Sequence, residues 1–186
     1  MLVAGFPAGP WGTNCFVVAT GPGSDCIVID PGKDAAPGIA DVVREQRLRP
    51  VAVLLTHGHI DHMWSVAPIC KDFAMPAYVH PADRHLLADP LSGISNSTRE
   101  SLASMAGIVG GDPTWVEPDD VVELLDRDVL SIAGLDLIVR HAPGHTRGSV
   151  MFNRAAHDDD PPILFSGDVL FAGSIGRTDL PGGDPV

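Results

Sequence analysis

Apolar residues follow two different patterns along this chain. In residues 1–108, short apolar runs alternate with stretches in which apolar residues recur at helical spacing. The apolar runs predict strands at residues 14–20, 25–30, 51–55 and 77–80. The helical stretches predict a helix from the N-cap Asp34 to before Pro50, and helices at residues 63–73, 81–88 and 97–108. Strands that alternate with helices are typical of βαβ units, so the pattern predicts an α/β fold.

From residue 121 onward the pattern is one of short strands joined by turns. These strands are predicted at residues 121–124, 129–132, 135–140, 150–153 and 163–165. Ala133-Gly134 is typical of a tight turn between two of them. Because the chain has 186 residues, we interpret residues 1–186 as a single domain.

The composition argues against several classes of protein. Twelve basic residues against 24 acidic ones give a formal net charge of −12, which argues against a nucleic-acid partner or an anionic membrane surface. No apolar run reaches membrane-spanning length, and the N-terminus lacks the basic and apolar regions of a signal peptide. Cys15, Cys26 and Cys70 are predicted to be buried free thiols, which indicates a reducing, cytoplasmic compartment.

Metal-capable side chains are concentrated in one loop. His57, His59, Asp61 and His62 occur within six residues, directly after the buried strand at residues 51–55. Open α/β sheets hold ligands at the carboxyl ends of their strands, and imidazole with carboxylate suits zinc or non-haem iron. Because alternate side chains of an extended loop share a face, His57 and His59 are predicted to reach one ion. Asp61 and His62 would turn towards a second ion.

Two later residues occupy the same kind of position. His145 comes shortly after the predicted strand at residues 135–140, and Asp168 after the strand at residues 163–165, each preceded by glycine. The first ion is therefore predicted to have three nitrogen ligands, from His57, His59 and His145. The second would have the partial set Asp61 and His62, with the carboxylate of Asp168 as a bridge. Two ions about 3.5–4 Å apart would hold a bridging water as hydroxide near neutral pH.

The order of these residues resembles the metallo-β-lactamase superfamily. The resemblance covers most of the chain and rests on the motif His57-x-His59-x-Asp61-His62, followed by His145 and Asp168. Within the superfamily the chain looks most like the hydroxyacylglutathione hydrolase (glyoxalase II) group. The segments that look like this group are Gly12-Thr13-Asn14-Cys15, Asp30-Pro31-Gly32, Thr56-His57-Gly58-His59 and residues 176–183.

The resemblance implies a four-layer αββα sandwich with the metal ions between the upper edges of two sheets. It implies one or two zinc ions, with iron or manganese as alternatives, and a small-molecule thioester as the substrate. A metal-bound hydroxide would attack the thioester carbonyl, and Asp61 would both bind metal and orient this nucleophile. The alternatives are a persulfide dioxygenase with one iron, and a lactonase or another acyl hydrolase. The oligomeric state is left open.

One feature of the superfamily is missing from the sequence. Members normally have a Gly-His-Gly segment some tens of residues after the bridging aspartate, but no histidine follows His157. We therefore expect a domain that is incomplete at its C-terminus, without its last helix and strand. The second ion would then rest on Asp61, His62 and Asp168 alone, or the protein would carry a single ion.

The remaining candidates have weaker patterns. The other four histidines are predicted to be packing, rim or surface residues rather than ligands: His80, His85, His141 and His157. Arg177 or Asp179 is predicted either to hold a ligand by a hydrogen bond or only to shape a turn. Three aromatic residues are interpreted as core residues, with a pocket wall as the alternative: Trp11, Phe16 and Trp64.

Overall fold

A six-stranded mixed sheet forms the centre of the molecule in the computed structural model, which describes residues 1–104, 115–157 and 160–184. Its strands lie in chain order: β1 Leu2–Ala8, β2 Thr13–Ala19, β3 Asp25–Ile29, β4 Arg49–Leu54, β5 Ala77–Val79 and β6 Val121–Glu123. β1, β2 and β3 pair antiparallel, whereas β3, β4, β5 and β6 pair parallel. The parallel half therefore brings several carboxyl strand ends to one edge.

A second, antiparallel sheet packs against the first. Its order is β10-β9-β8-β7, with β7 Val129–Ile132, β8 Leu135–His141, β9 Val150–Arg154 and β10 Ile163–Phe165. A two-stranded ribbon follows, made of β11 Leu170–Phe171 and β12 Ser174–Ile175. Each strand predicted from the apolar pattern is present within one or two residues of its predicted bounds.

The α-helices of the described residues are α1 Ala35–Gln46, α2 Ile60–Met63, α3 Val66–Phe73 and α4 Asn96–Ser104. Two 3₁₀ turns lie at Arg84–Leu87 and Pro90–Gly93. α1 connects β3 to β4, and α3 lies in the connection from β4 to β5, so the predicted βαβ units are confirmed. None of these helices has the length and apolar character needed to cross a membrane.

Two apolar cores explain why the central strands are apolar at successive positions. Val28 and Val53 face a core that includes Ile39 of α1 and Val66 of α3. Their neighbours in sequence face a second core between the two sheets, where Phe152 is fully buried. Strands covered on both faces read as continuous apolar runs rather than as alternating patterns. The described residues thus form three layers of the predicted four-layer sandwich, in the order helices, large sheet, small sheet.

The three cysteines lie in the first of these cores. They are unpaired and buried, as predicted. Burial is the main cause that raises the pKa of both Cys26 and Cys70 to about 12, so these thiols stay protonated at neutral pH.

Two elements were not predicted from the sequence: the edge strand β1 and the ribbon of β11 and β12. β1 was not predicted, because Gly5 and Pro7 interrupt an already short run, although proline is acceptable on an edge strand. The ribbon of β11 and β12 was also missed, because each of its strands has only two residues.

The helix predicted at residues 63–73 is wrong in one respect, because it is split at Trp64 and Ser65 into α2 and α3. Ser65 donates from its backbone N–H to the carbonyl of Pro31 at 3.0 Å, and from Oγ to the carbonyl of Gly32 at 2.7 Å. Pro68, in the first turn of α3, has no N–H for the preceding turn. Tertiary bonds to the loop after β3 therefore begin a new helix at this point.

Other helix predictions also need correction. The segment 81–88 forms only the 3₁₀ turn Arg84–Leu87, and the predicted loop before α4 contains a second 3₁₀ turn. α4 ends at Ser104 in the described residues, and positions 105–108 of the predicted helix lie outside them. Asp34 is the N-cap of α1, but its φ is 57° and its side chain makes no capping bond. Instead its carboxylate accepts a bond from Lys33 Nζ at 3.0 Å.

Asp83 ties the loops of the two sheets together. Its carboxylate is 1% exposed and accepts three hydrogen bonds from residues far away in sequence. Oδ2 accepts from the N–H of Gly58 at 2.9 Å and from the hydroxyl of Thr146 at 2.7 Å. Oδ1 accepts from the N–H of Gly148 at 2.8 Å. One buried carboxylate thus fixes the loop after β4 against the loop between β8 and β9.

We expect the substitution Asp83→Asn to lower the free energy of unfolding by about 3 kcal/mol, because an amide NH₂ would face a donor in either orientation. Urea unfolding followed by circular dichroism measures this change. The matched control is Asp41→Asn, whose exposed carboxylate pairs with Arg44 and whose loss should leave the stability unchanged. Equal stabilities of the two variants would contradict the role of Asp83.

Candidate metal centre

All six predicted ligand residues meet between the two sheets. His57 and His59 lie in the loop after β4, and α2 carries Asp61 and His62. The loop between β8 and β9 contributes His145, and the loop between β10 and β11 contributes Asp168. The four imidazoles are at most 5% exposed. The strand ends converge as the sequence predicted, but the role of these side chains as ligands stays a prediction.

Three imidazoles form the first group, in which ring nitrogens approach one another. Nε2 of His145 lies 3.2 Å from Nε2 of His57 and 2.9 Å from Nδ1 of His59. One ligand atom from each of the three residues lies within 4.8 Å of the others. This is the predicted three-nitrogen set.

Hydrogen-bond partners fix the ring forms of two members. Nδ1 of His145 donates to the carbonyl of Arg177 at 2.7 Å, so its Nε2 carries a lone pair. Thr56 donates its hydroxyl hydrogen to Asp30 Oδ2 at 2.6 Å. The same hydroxyl oxygen must therefore accept from Nδ1 of His57, 3.1 Å away, which leaves a lone pair on Nε2 of His57. Two lone pairs thus face each other, and they repel unless a cation lies between them.

A proton bound to His57 or His59 is a poor candidate for that cation. Burial, followed by the charges of neighbouring imidazoles, lowers the pKa of His57 well below its usual range. Burial is also the main cause that lowers the pKa of His59 to about 4. Nε2 of His59 is buried without a hydrogen-bond partner among the described residues, so nothing else there fixes its ring form. The group fits a metal ion bound by Nε2 of His57, Nδ1 of His59 and Nε2 of His145.

The second group is built around His62. Its Nδ1 donates to Asp30 Oδ2 at 3.0 Å, so its Nε2 faces the cavity. There Nε2 lies 3.2 Å from Asp168 Oδ1 and 3.5 Å from Asp61 Oδ2. Thr13 donates to the same oxygen of Asp61 at 2.9 Å and holds that carboxylate in place. One imidazole and two carboxylates therefore form the predicted partial set.

Charge in this second group is opposite to that in the first. Burial lowers the pKa of His62, but the carboxylates of Asp30, Asp168 and Asp61 together outweigh it and raise this pKa well above its usual value. Burial raises the pKa of Asp168, but the neighbouring imidazoles, His62 first, outweigh it and lower this pKa overall. In the absence of a metal the surroundings of His62 thus favour a positive charge, which is the property of a cation site.

Asp168 lies between the two groups. Its Oδ1 faces His62 and its Oδ2 is 3.7 Å from Nε2 of His145. His57, His62 and Asp168 also have ligand atoms within 4.8 Å of one another. Gly176 allows this approach, because a Cβ there would clash with the backbone carbonyl of Asp168. The arrangement fits the bridging position predicted for Asp168.

Two buried aspartates that orient the site were missed. Asp30 was noted only within Asp30-Pro31-Gly32, and its position directly after β3 was the available signal. Asp83 had no such signal, because the chain has 24 acidic residues and its partners are 25 to 65 positions away. The backbone carbonyl of Arg177 holds His145, whereas the side chains of Arg177 and Asp179 form an exposed ion pair at 2.7 Å.

The aromatic candidates divide between wall and packing roles. Trp11, 40% exposed, and Phe16 line a cavity of about 440 Å³ that has Asp61 and His62 among its other lining residues. The core interpretation is therefore wrong for Trp11, and the alternative of a pocket wall holds. Trp64 packs against Trp11, with ring centroids 5.9 Å apart.

The four remaining histidines lie outside both ligand groups of the described residues. His80 and His141 stack on each other with centroids 4.0 Å apart. Nε2 of His141 donates to the carbonyl of Arg147 at 2.9 Å, as expected for a rim residue.

Several bacterial proteins are similar in sequence to this chain over most of its length. An uncharacterized protein of Mycobacterium tuberculosis is 46% identical over 98% of this chain and 79% of its own length. A Bacillus subtilis protein named probable metallo-hydrolase YqgX is 33% identical over 96% of this chain and 75% of its own length. A hydroxyacylglutathione hydrolase of Pseudomonas savastanoi is 31% identical over 82% of this chain, but over only 45% of its own length.

Solved structures agree with this relationship. BLEG-1, a B3 metallo-β-lactamase, superposes with a TM-score of 0.76 and 36% identity, over 99% of this chain and 80% of BLEG-1. TTHA1623 in a di-iron-bound form gives a TM-score of 0.73 and 33% identity, over 100% of this chain and 80% of TTHA1623. The family described as the metallo-beta-lactamase superfamily matches residues 8–186. The chain therefore belongs to the metallo-β-lactamase superfamily and has its αββα fold.

Proposed function

We propose that this protein is a metal-dependent hydrolase that cleaves S-acyl thioesters of a small thiol. The metal-dependent hydrolase part is supported by the two ligand groups and by the similarity to YqgX. The thioester part is supported by the more distant similarity to a hydroxyacylglutathione hydrolase. Zinc is the proposed metal, and iron is the alternative that the di-iron form of TTHA1623 suggests.

The observation that carries the thioester proposal is the absence of a proton donor suited to a basic leaving group. Lysine, cysteine, tyrosine and arginine are all missing from the described residues that line the cavity, and His62, the one histidine among them, would be bound to metal through Nε2 and so could not donate a proton. Asp168, with its lowered pKa, is ionised at neutral pH and cannot supply a proton. An amine or alkoxide needs protonation as it leaves, whereas a thiolate, whose thiol has a pKa of about 8.5, does not.

The residues of the chain would have separate roles in such a reaction. A bound metal ion supplies Lewis-acid activation of water and polarises a carbonyl oxygen. Asp61, held by Thr13, accepts a hydrogen bond from the attacking water and orients it. Asp30 keeps His57 and His62 in ring forms that present Nε2 to the cavity. Asp168 holds the two groups at a fixed separation.

The reaction itself is the first test. We expect the zinc-loaded protein to release free thiol from S-acyl N-acetylcysteamine esters, measured by the absorbance of a thiol reagent. Removal of metal with a chelator should abolish the rate, and added zinc should restore it. A fully loaded protein that hydrolyses no S-acyl thiol, N-acetylcysteamine esters and S-lactoylglutathione included, would refute the thioester proposal.

Metal content tests the ligand assignment. We expect His57→Ala and His145→Ala to lose most of the bound metal after gel filtration, measured by elemental analysis, because each removes one of three nitrogens. His85→Ala is the matched control, because His85 is exposed and outside both ligand groups. Metal retention by all three variants would refute the first site.

Asp30→Asn tests the orienting role of a residue that does not itself bind metal. Oδ2 of Asp30 accepts from Nδ1 of His62 and from the hydroxyl of Thr56, which in turn accepts from Nδ1 of His57. An amide NH₂ at this position would therefore disfavour the present ring forms of both histidines. We expect metal affinity to fall by about 10- to 100-fold, measured by competition with a chelator. Asp34→Asn, an exposed change in the same loop, is the control and should leave affinity unaltered.

A second candidate is an iron-dependent persulfide dioxygenase. The unequal groups favour it, because the first has three buried imidazoles and the second, made of His62, Asp61 and Asp168, has only one. Metal analysis with substrate tests separates the two proposals. One iron per chain with persulfide-dependent oxygen uptake would support the dioxygenase, and two zinc ions per chain with thiol release would exclude it.

A further inference from the structure

We propose that the cavity above the metal centre binds an uncharged, apolar acyl group, carried by a thiol that has no carboxylate. This inference deepens the proposed thioester hydrolysis and rests on it. The cavity has a volume of about 440 Å³, within the range of small-molecule sites. Its floor and its walls have different chemistry, and each excludes a different class of substrate.

The floor of the cavity is acidic. Three of the lining residues are aspartates, Asp30, Asp61 and Asp168, and lysine and arginine are both missing from the described lining. Two divalent ions together with a bound hydroxide would balance the three carboxylates, which would leave no excess positive charge for an anionic carrier. A glutathione moiety brings two carboxylates, and no described cation of the cavity could pair with them.

The walls are apolar and unusually exposed. Leu170 and Phe171 of the ribbon are 50% and 44% exposed, Leu164 of β10 is 43% exposed, and Trp11 is 40% exposed. All four line the same cavity. Apolar side chains left in water around a concave site mark a surface that an apolar ligand covers.

The ribbon places these side chains beside the candidate ligands. β11 begins two residues after Asp168, and Leu170 and Phe171 pair with Ile175 and Ser174 of β12. Ser166 Oγ donates to the carbonyl of Leu170 at 2.8 Å, which fixes the loop that carries Asp168 to the start of the ribbon. Leu170, Phe171 and the carboxylate of Asp168 are therefore parts of one hydrogen-bonded segment, and an acyl chain along these two side chains would end at the floor.

Binding of non-reacting thioethers tests this inference separately from catalysis. We expect S-alkyl N-acetylcysteamine thioethers, titrated calorimetrically into the zinc-loaded protein, to bind up to about fourfold tighter for each added methylene until the cavity is filled. S-hexylglutathione should bind at least about tenfold more weakly than S-hexyl-N-acetylcysteamine, because its carboxylates find no partner. Asn14→Lys, which adds a cation to the cavity wall, should reduce this difference.

A matched pair of leucines localises the effect. Leu170→Ala should flatten the dependence on chain length, whereas Leu125→Ala should not, because Leu125 is similarly exposed at 56% but does not line the cavity. Both variants remove the same group from an exposed position, so a difference between them reports the cavity rather than stability.

The possible outcomes separate this inference from the proposed function. Chain-length-dependent binding without hydrolysis of any thioester would support the apolar site and refute the hydrolase proposal. Thioester hydrolysis without any dependence on chain length, or tighter binding of the glutathione derivative, would overturn the apolar site and leave the hydrolase proposal standing. A dimer that dissociates in Phe171→Asp, together with no thioether binding, would show that the apolar wall is an interface between two copies and would also overturn it.

Discussion

The buried carboxylate of Asp30 is the constraint on which both ligand groups depend. It is 2% exposed and accepts from the N–H and the hydroxyl of Thr56 and from Nδ1 of His62. Burial of an unpaired carboxylate would cost several kcal/mol, and three donors offset that cost. Through Thr56 it fixes the ring form of His57, so one side chain sets the candidate ligand atom in each group. Its backbone φ of 50° lets the chain turn towards the end of β4 directly after β3.

Asp83 has the corresponding role for the second sheet. It joins the loop of His57 and His59 to the loop of His145 through backbone and hydroxyl donors. Gly148 is needed at this contact, because a Cβ there would lie 2.7 Å from Oδ1 of Asp83. Asp30 and Asp83 together fix the relative position of loops that otherwise belong to separate sheets. Preorganised loops of this kind lower the entropic cost of metal binding.

Prediction from the sequence was most accurate where the signal was local. The strands of both sheets follow from runs of β-branched and aliphatic residues, and four of the six candidate ligands follow from one loop. Prediction failed where side chains form hydrogen bonds with backbone groups that are far away in the sequence. The continuous helix predicted after the metal loop is divided because Ser65 bonds to Pro31 and Gly32, more than 30 residues earlier. The helix predicted after β5 is reduced to a 3₁₀ turn in the segment where Asp83 bonds to distant loops.

The fold class and the chemical type of the candidate site follow from the sequence, because apolar periodicity and ligand residue types are properties of short segments. The three-dimensional structure was needed to show which nitrogen of each imidazole faces the site, because that depends on partners such as Asp30 and the carbonyl of Arg177. The structure also shows that Asp168 lies between the two groups and that an exposed apolar ribbon borders them. These features join residues that are more than 100 positions apart in the case of His62 and Asp168, and no local pattern encodes such contacts.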